Sequence, residues 1–370
     1  MKFTCESFQL QAACVTASRA TAAKSTIPAL EGLLIKAGEN ITITGYDLKK
    51  GIYTSIEADI AERGAVVVGA RLFGEMIRRL PDGMVSVSSD ENNNVVVKCG
   101  KTEFNFMGIS PEDYPEIPSV DAENNIIISQ SVLKSMINQT LFAVSTSDVR
   151  PIHTGTLFEV GGGELTLVSV DGYRLAKRKE KIGEEGAEEY SFVVPGSTLS
   201  DVERICTGDE ENVHISAGKR HVSFVIGKTV VVSRRLEGEF LNYRKAIPDT
   251  YKYRLTVDRG ELMSSIDRVS LIVSEKNLSP VRMTFNDGSI DCLCLTPLGR
   301  AEDVCSCEGA GDGLQIGFND RYLKDALKAA GKDKLWMCIN TASSPCILTA
   351  ADGTDDFTFM ILPVRLRAGD

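Results

Sequence analysis

With 370 residues and 41 Lys plus Arg against 51 Asp plus Glu, the chain has a net charge of −10 and enough length for two to three domains. Its 43% hydrophobic and 25% charged content is globular, and no stretch approaches the roughly 18 apolar residues of a membrane span. A disulfide-stapled miniprotein and a helical membrane protein are excluded, and the average surface repels phosphate.

The opening KFTCESFQLQAACVTAS reads as a short alternating strand followed by a helix. Glu6 and Gln9 fall where a signal peptide needs an unbroken apolar core, so the expected location is cytoplasmic. Paired strands follow in LEGLLIKAGENITITGYDL, then a second helix in GARLFGEMIRRLP and a hairpin around Asp90 to Asn94. The Pro-broken stretch ISPEDYPEIPSVD, near 110 to 121, reads as a linker.

The same plan then returns twice. IIISQSVLKSMINQTLFAV opens at 126 and RLTVDRGELMSSIDRVSLIV at 254, so the openings lie 124 and 128 residues apart. Their helical apolar positions superpose: Leu10, Ala13, Cys14 and Ala17 match Leu133, Met136, Ile137 and Thr140, then Leu262, Ser265, Ile266 and Val269. Each set is one helix face at i, i+3, i+4, i+7. Hairpins with turns GEN, GGGE and NDGS follow, then second helices in PGSTLSDVERICTG and FNDRYLKDALKAAGK, then hairpins at Ala217 to Lys219 and Ala351 to Gly353. YRKAIPDTYK, near 243 to 252, is the second linker. The expectation is three tandem copies of one α+β domain, at 1–120, 121–248 and 249–370, each with an internal pseudo-twofold.

Catalytic signatures are missing. There is no HExxH, GxSxG or GxxxxGK[ST], and only His153, His214 and His221 could serve a histidine-based site. Gly161-Gly162-Gly163 reads as a turn. The ten cysteines read as reduced, mostly buried thiols. Cys292, Cys294, Cys305 and Cys307 are the nearest thing to a metal pattern, but residues two apart on a strand share a face, so each pair can equally point into a sheet interface. Neither a metal nor a cofactor is expected.

Charge is uneven. The six helical windows hold 13 Lys or Arg against 7 Asp or Glu, so the remainder of the chain is strongly acidic. In the last helix Arg321, Lys324, Lys328 and Lys332 form one stripe opposite Tyr322, Leu323, Ala326, Leu327 and Ala330. Helix 70–80 repeats this register, with Arg71 and Arg78 opposite Leu72, Phe73, Met76, Ile77 and Leu80, whereas in 196–206 Asp201 and Glu203 outnumber Arg204. Solvated helix faces account for one such stripe; its repetition in an acidic chain points toward a polyanion. Twelve helices from two copies, at ~10 Å each, would close a ring with a hole of about 28 Å. A duplex roughly 20 Å across passes through it.

MKFT, TIPALEGLLIKA with ITITGYDL, the pair RPIHTGTLFE and SVDGYRLA, EGEFLNYRKAIP and the terminal FMILPVRL together resemble the bacterial DNA polymerase III beta subunit, the replication sliding clamp. The resemblance spans essentially the whole chain. It implies three DNA-clamp domains of two helices packed on antiparallel sheets, and a head-to-tail homodimeric ring with helices inside and sheets outside. It further implies a non-catalytic processivity factor in the bacterial cytoplasm at the nucleoid, with no membrane partner. Its partners would be duplex DNA without sequence preference, the replicative polymerase alpha subunit, the clamp loader and other clamp-binding-motif proteins.

By the same resemblance, DNA contacts fall on Lys24, Arg71, Arg78, Arg79, Arg150, Arg321, Lys324 and Lys328. A groove for a short apolar peptide falls on His153, Gly155, Val170, Gly172, Tyr173, Arg174, Leu175, Leu241 and Ala246, with Ser344, Pro345, Met360, Leu362, Pro363, Val364 and Arg365. The subunit contact falls on Phe104 and Phe106 facing Ile272 and Val273. His153 stands where an aliphatic residue is common, Leu241 where Pro is common, and Arg367-Ala368-Gly369-Asp370 extends past the usual end. A hydrolase or zinc enzyme using the Cys292 to Cys307 cluster and a protein-only scaffold are the competing readings; stoichiometric metal would mark the first, and the absence of salt-sensitive retention on circular DNA the second.

Overall fold

Each helix begins where a strand ends. The computed structural model describes residues 1–121, 124–183, 189–209, 211–273, 279–354 and 356–366; the tail from Arg367 to Asp370 lies outside the described residues. Among the described residues the helices are α1 Ser7–Ser18, α2 Ala70–Arg78, α3 Gln130–Thr140, α4 Gly196–Ile205, α5 Arg259–Val269 and α6 Asp320–Ala329. They follow the strands Lys2–Glu6, Gly64–Gly69, Asn124–Ser129, Tyr190–Pro195, Tyr253–Asp258 and Leu314–Phe318 respectively. The strand-helix opening therefore occurs twice in each repeat.

All twelve helical positions that superpose in the sequence are buried, Thr140 and Ser265 included. A face at i, i+3, i+4, i+7 is enough to seat a helix on a sheet. Thr140 resolves its polarity locally, its hydroxyl donating to the Met136 carbonyl at 2.9 Å. Asp258 caps α5 by accepting from the Glu261 amide at 2.8 Å, and Asn319 caps α6 by accepting from the Arg321 amide at 3.0 Å. In α2 the buried face is Ala70, Phe73 and Ile77, and Leu72 is 56% exposed. That corrects the expectation of Leu72 on the core side: the spacing from Ala70 through Phe73 to Ile77 turns Leu72 outward.

The chain forms two compact units. The first, residues 1–134 and 197–235, carries a five-stranded and an eight-stranded sheet. In the eight-stranded sheet, Thr229–Arg234 of the central repeat pairs antiparallel with Lys50–Ile56 of the first, in register Val231 with Ile52. The second unit, residues 135–196 and 236–370, carries a twelve-stranded sheet. There Arg174–Lys181 of the central repeat pairs antiparallel with Phe357–Ile361 of the third, in register Leu175 with Met360. The central repeat thus contributes four strands to one sheet in each unit, and an edge it would otherwise leave open is paired with a strand of the neighbouring repeat. Gly162 and Gly163, at φ 59° and 75°, form the two-residue turn between Gly155–Gly161 and Glu164–Val170.

Cys292, Cys294 and Cys305 are buried in the core of the second unit, and Cys307 packs against it. The described residues contain no group of three side chains able to hold a metal ion. Among the described residues no helix is long and apolar enough to cross a membrane.

Candidate peptide groove and nucleic-acid interface

Every proposed groove residue lies in the second unit. The strand Arg174–Lys181 aligns Arg174 with Ile361, and the chain beyond that pair is fixed twice by backbone bonds. Leu362 N donates to the Tyr173 carbonyl at 2.8 Å, and Val364 N donates to the Gly317 carbonyl at 2.7 Å. The segment Leu362 to Arg365 is therefore held as an extended rim. Beneath it one apolar cluster joins Leu157, Leu175, Tyr243, Ile347 and Met360 with the half-buried Phe240, Ala246, Trp336 and Leu362.

Exposure separates floor from walls. Leu175 is fully buried and Met360 is 6% exposed, whereas Tyr173 is 61%, Leu241 39% and Val364 39% exposed. Leu175 is consequently floor, and the half-buried Leu362 and the exposed Val364 form the surface above it. Val170 and Gly155 are buried, Gly172 takes φ 94° in the turn ahead of Tyr173, and Pro363 is half-buried. Ser344 and Pro345 sit in the turn before Cys346–Ala350, where the Thr341 and Ser344 hydroxyls lie 2.7 Å apart. His153 is 8% exposed and edges onto Phe240 at 5.7 Å. Burial first, and the Arg150 charge second, pushes its pKa below the ordinary histidine value.

Arg174 is the polar centre of the rim. Its Nε donates to Asp171 Oδ2 at 2.8 Å and its Nη1 to Asp325 Oδ2 at 2.7 Å. Its guanidinium lies 4.5 Å from the Tyr322 ring centroid and 5.4 Å from that of Phe142, and Tyr173 stacks on Tyr322 at 6.1 Å. The sequence analysis assigns no role here to Asp171, Phe142 or Asp325, and places Tyr322 only on the apolar face of the last helix. Asp171 alone had a local signal, an Asx turn in which its Oδ1 accepts from the Tyr173 and Arg174 amides at 2.9 and 3.0 Å.

The cations fall on both units. Lys24, Arg71, Arg78, Arg79, Arg150, Arg321 and Lys328 are exposed. Lys324 is half-buried, with its Nζ 2.7 Å from Asp320 and 3.8 Å from Asp267. The acidic α4 is compensated in place: Asp201 pairs with Lys50, and with Arg19 at 3.7 Å, while Glu203 lies 3.9 Å from Lys134.

Phe104 and Phe106 alternate with the exposed Glu103, Asn105 and Met107 on the edge strand Thr102–Met107. Both rings pack against the core of their own unit, Phe106 at 6.2 Å from Phe73, and stay half-buried. Ile272 and Val273 likewise pack partly into the core of the second unit. The most exposed apolar side chains beside these positions are Met107 at 68% and Leu271 at 81%, both missed by the sequence reading.

Models of the DNA polymerase III beta subunit match the chain three times: the N-terminal domain over residues 1–118, the central domain over 127–242 and the C-terminal domain over 244–365. A beta sliding clamp of Staphylococcus aureus is 33% identical over 358 residues, covering 94% of each chain. The crystal structure of a DNA polymerase sliding clamp from Bacillus subtilis superposes with a TM-score of 0.95 at 30% identity, covering 99% of this chain and all of that one. A DNA polymerase III subunit beta from Pseudomonas aeruginosa gives 0.92 at 27% identity over 99% of this chain and 100% of that one. Matched in order by all three of its domain models, the chain belongs to the DNA polymerase III beta subunit family.

Proposed function

We propose that this chain is a DNA sliding clamp, a non-catalytic processivity factor that encircles duplex DNA. The observation that carries the reading is the threefold repeat of one strand-helix plan with the same buried helix face each time, together with the three domain matches. Two copies joined head to tail supply six such domains, at 1–120, 121–248 and 249–370 of each subunit, and enough helices to line a hole of duplex size. A closed ring leaves DNA only by opening or by running off an end, so it holds a polymerase in place without reading sequence. Cations on the inner helices then need only weak phosphate contacts, drawn from Lys24, Arg71, Arg78, Arg79, Arg150, Arg321, Lys324 and Lys328.

The groove on the second unit receives an apolar peptide from the polymerase alpha subunit, the clamp loader or other clamp-binding proteins. Its support is the apolar floor under a rim fixed by two backbone bonds. The subunit contact joins the Phe104 and Phe106 edge of one copy to the region of Ile272 and Val273 of the other, with Leu271 and Met107 supplying exposed apolar surface. The chain works in the bacterial cytoplasm at the nucleoid. Retention on a nicked circular plasmid, lost when the plasmid is linearised, is the expected result; equal retention on both forms overturns topological tethering.

A further inference from the structure

Helix α2 holds one acidic residue among its cations. Glu75 Oε2 accepts from Arg78 Nη2 at 2.7 Å and from Arg79 Nη2 at 3.1 Å, so a single carboxylate oxygen holds two guanidinium groups. The bond from Arg78 keeps the Glu75 carboxyl below its usual range, and Glu75 is ionised at neutral pH. Arg71, Glu75, Arg78 and Arg79 rim a cleft of about 620 Å3 against Val15 and Ser18 of α1. In the second unit the roles are reversed: Lys324 of α6 is one half-buried cation between two carboxylates, Asp320 at 2.7 Å in the same helix and Asp267 at 3.8 Å in α5.

We propose that Glu75 is a built-in competitor for DNA phosphate, which keeps Arg78 and Arg79 from locking onto the backbone. The inference rests on the clamp reading and deepens it. An uncompensated arginine fork takes a phosphate bidentately and holds it. With Glu75 in place each phosphate has to displace a carboxylate already within hydrogen-bond distance, and each departing phosphate is replaced by that carboxylate. Exposed helix pairs of this kind are weak, so the exchange is cheap in both directions. A surface past which DNA slides needs that property.

The test compares full-length wild type, Glu75→Gln and Glu91→Gln, which has the same net-charge change on the exposed hairpin turn at Asp90 to Asn94. A fluorescent duplex reports affinity as a function of salt, and single-molecule tracking of loaded rings reports diffusion. Glu75→Gln is expected to bind about 2–5-fold tighter at low salt. Its log-log salt slope should steepen by about 1 to 2, one for each arginine released to phosphate, and its diffusion should slow. Glu91→Gln should match wild type. Unchanged affinity, slope and diffusion in Glu75→Gln, or equal changes in both variants, overturn the proposal. Wild type that does not associate with DNA at all overturns the clamp reading, and this inference with it.

Discussion

Arg174 Nη1 and Asp325 Oδ2, 2.7 Å apart, join the groove rim to helix α6 across 151 residues of sequence. The pair is asymmetric: the Arg174 side chain is 12% exposed and that of Asp325 is 40%. Arg174 has few waters to replace a lost partner. Asp325→Ala is expected to cost about 1–2 kcal/mol in urea unfolding, near the lower end because Asp325 is partly solvated. Arg174→Ala removes the centre of the arrangement, including its stacking on Tyr322 and Phe142, and is expected to cost more and to weaken peptide binding at least tenfold. Equal stability of Arg174→Ala and wild type would show that the pair contributes no net stability.

The subunit contact is best tested at Leu271. Ile272 and Val273 serve partly in the core of their own unit, so charging them risks damaging the fold. Leu271 is 81% exposed and carries little of that burden. Leu271→Asp is expected to give a folded monomer of 40.2 kDa in place of a dimer of twice that mass, since an apolar contact between subunits cannot accept an unpaired charge. Light scattering reads the mass directly, and a dimer in Leu271→Asp moves the interface elsewhere.

Changing Arg71, Arg78 and Arg79 together to Glu is expected to slow loading and weaken primer-template affinity, while the melting temperature stays within a few degrees of wild type. Exposed charges add little to folding, though the Glu75 pairs are lost in this variant. Unchanged DNA affinity would mean that α2 does not face DNA.

What the sequence made legible was local. The shared face of α1, α3 and α5 repeats every three or four residues, and all its positions are buried. Alternation in the strand Thr102–Met107 likewise identified one face for Phe104 and Phe106, but periodicity does not say whether a face meets its own core or a partner. Leu72 misled because α2 is only nine residues long and a broad apolar arc leaves its centre undetermined. The carboxylate of Asp325 and the ring of Tyr322 carry no local mark of their role, since the strand they support lies far away in the chain. Groove residues came from resemblance; their division into floor and rim depends on tertiary burial that no short pattern encodes.

His153 predicts a pH dependence with a definite sign. Its pKa is depressed in the folded chain, by burial and then by Arg150, below the ordinary 6.5. The neutral ring is thus favoured by folding, whereas the unfolded chain takes up a proton below about pH 6.5. The contribution is complete above that pH, declines as pH falls through it, and levels off below the folded value. Between pH 7.5 and 5.5 wild type is expected to lose more melting temperature than His153→Phe, which keeps a ring against Phe240 without the titration. Parallel curves for the two proteins would remove His153 as the source; His221, also depressed by burial and by Arg234 and Arg220, is common to both.

The groove itself is tested by the double change Leu362→Ala and Val364→Ala. Leu362 is half-buried in the apolar cluster and Val364 is 39% exposed, so the stability cost is expected to be about 1–3 kcal/mol, below that of fully buried positions. Deleting the segment from Met360 instead would remove Met360 and Ile361 from the strand Phe357–Ile361 and endanger the sheet, whereas the double change leaves the amides of Leu362 and Val364 bonded to Tyr173 and Gly317. The single tryptophan, Trp336, belongs to the same cluster with the Arg254 guanidinium 4.6 Å from its ring, so its fluorescence reports occupancy without a label. A peptide ending in two apolar residues is expected to shift that emission in wild type and to bind the double variant at least tenfold more weakly. Ring formation and retention on circular DNA should survive, because they use other surfaces. Undiminished peptide affinity in a folded, dimeric double variant places the groove elsewhere on the molecule.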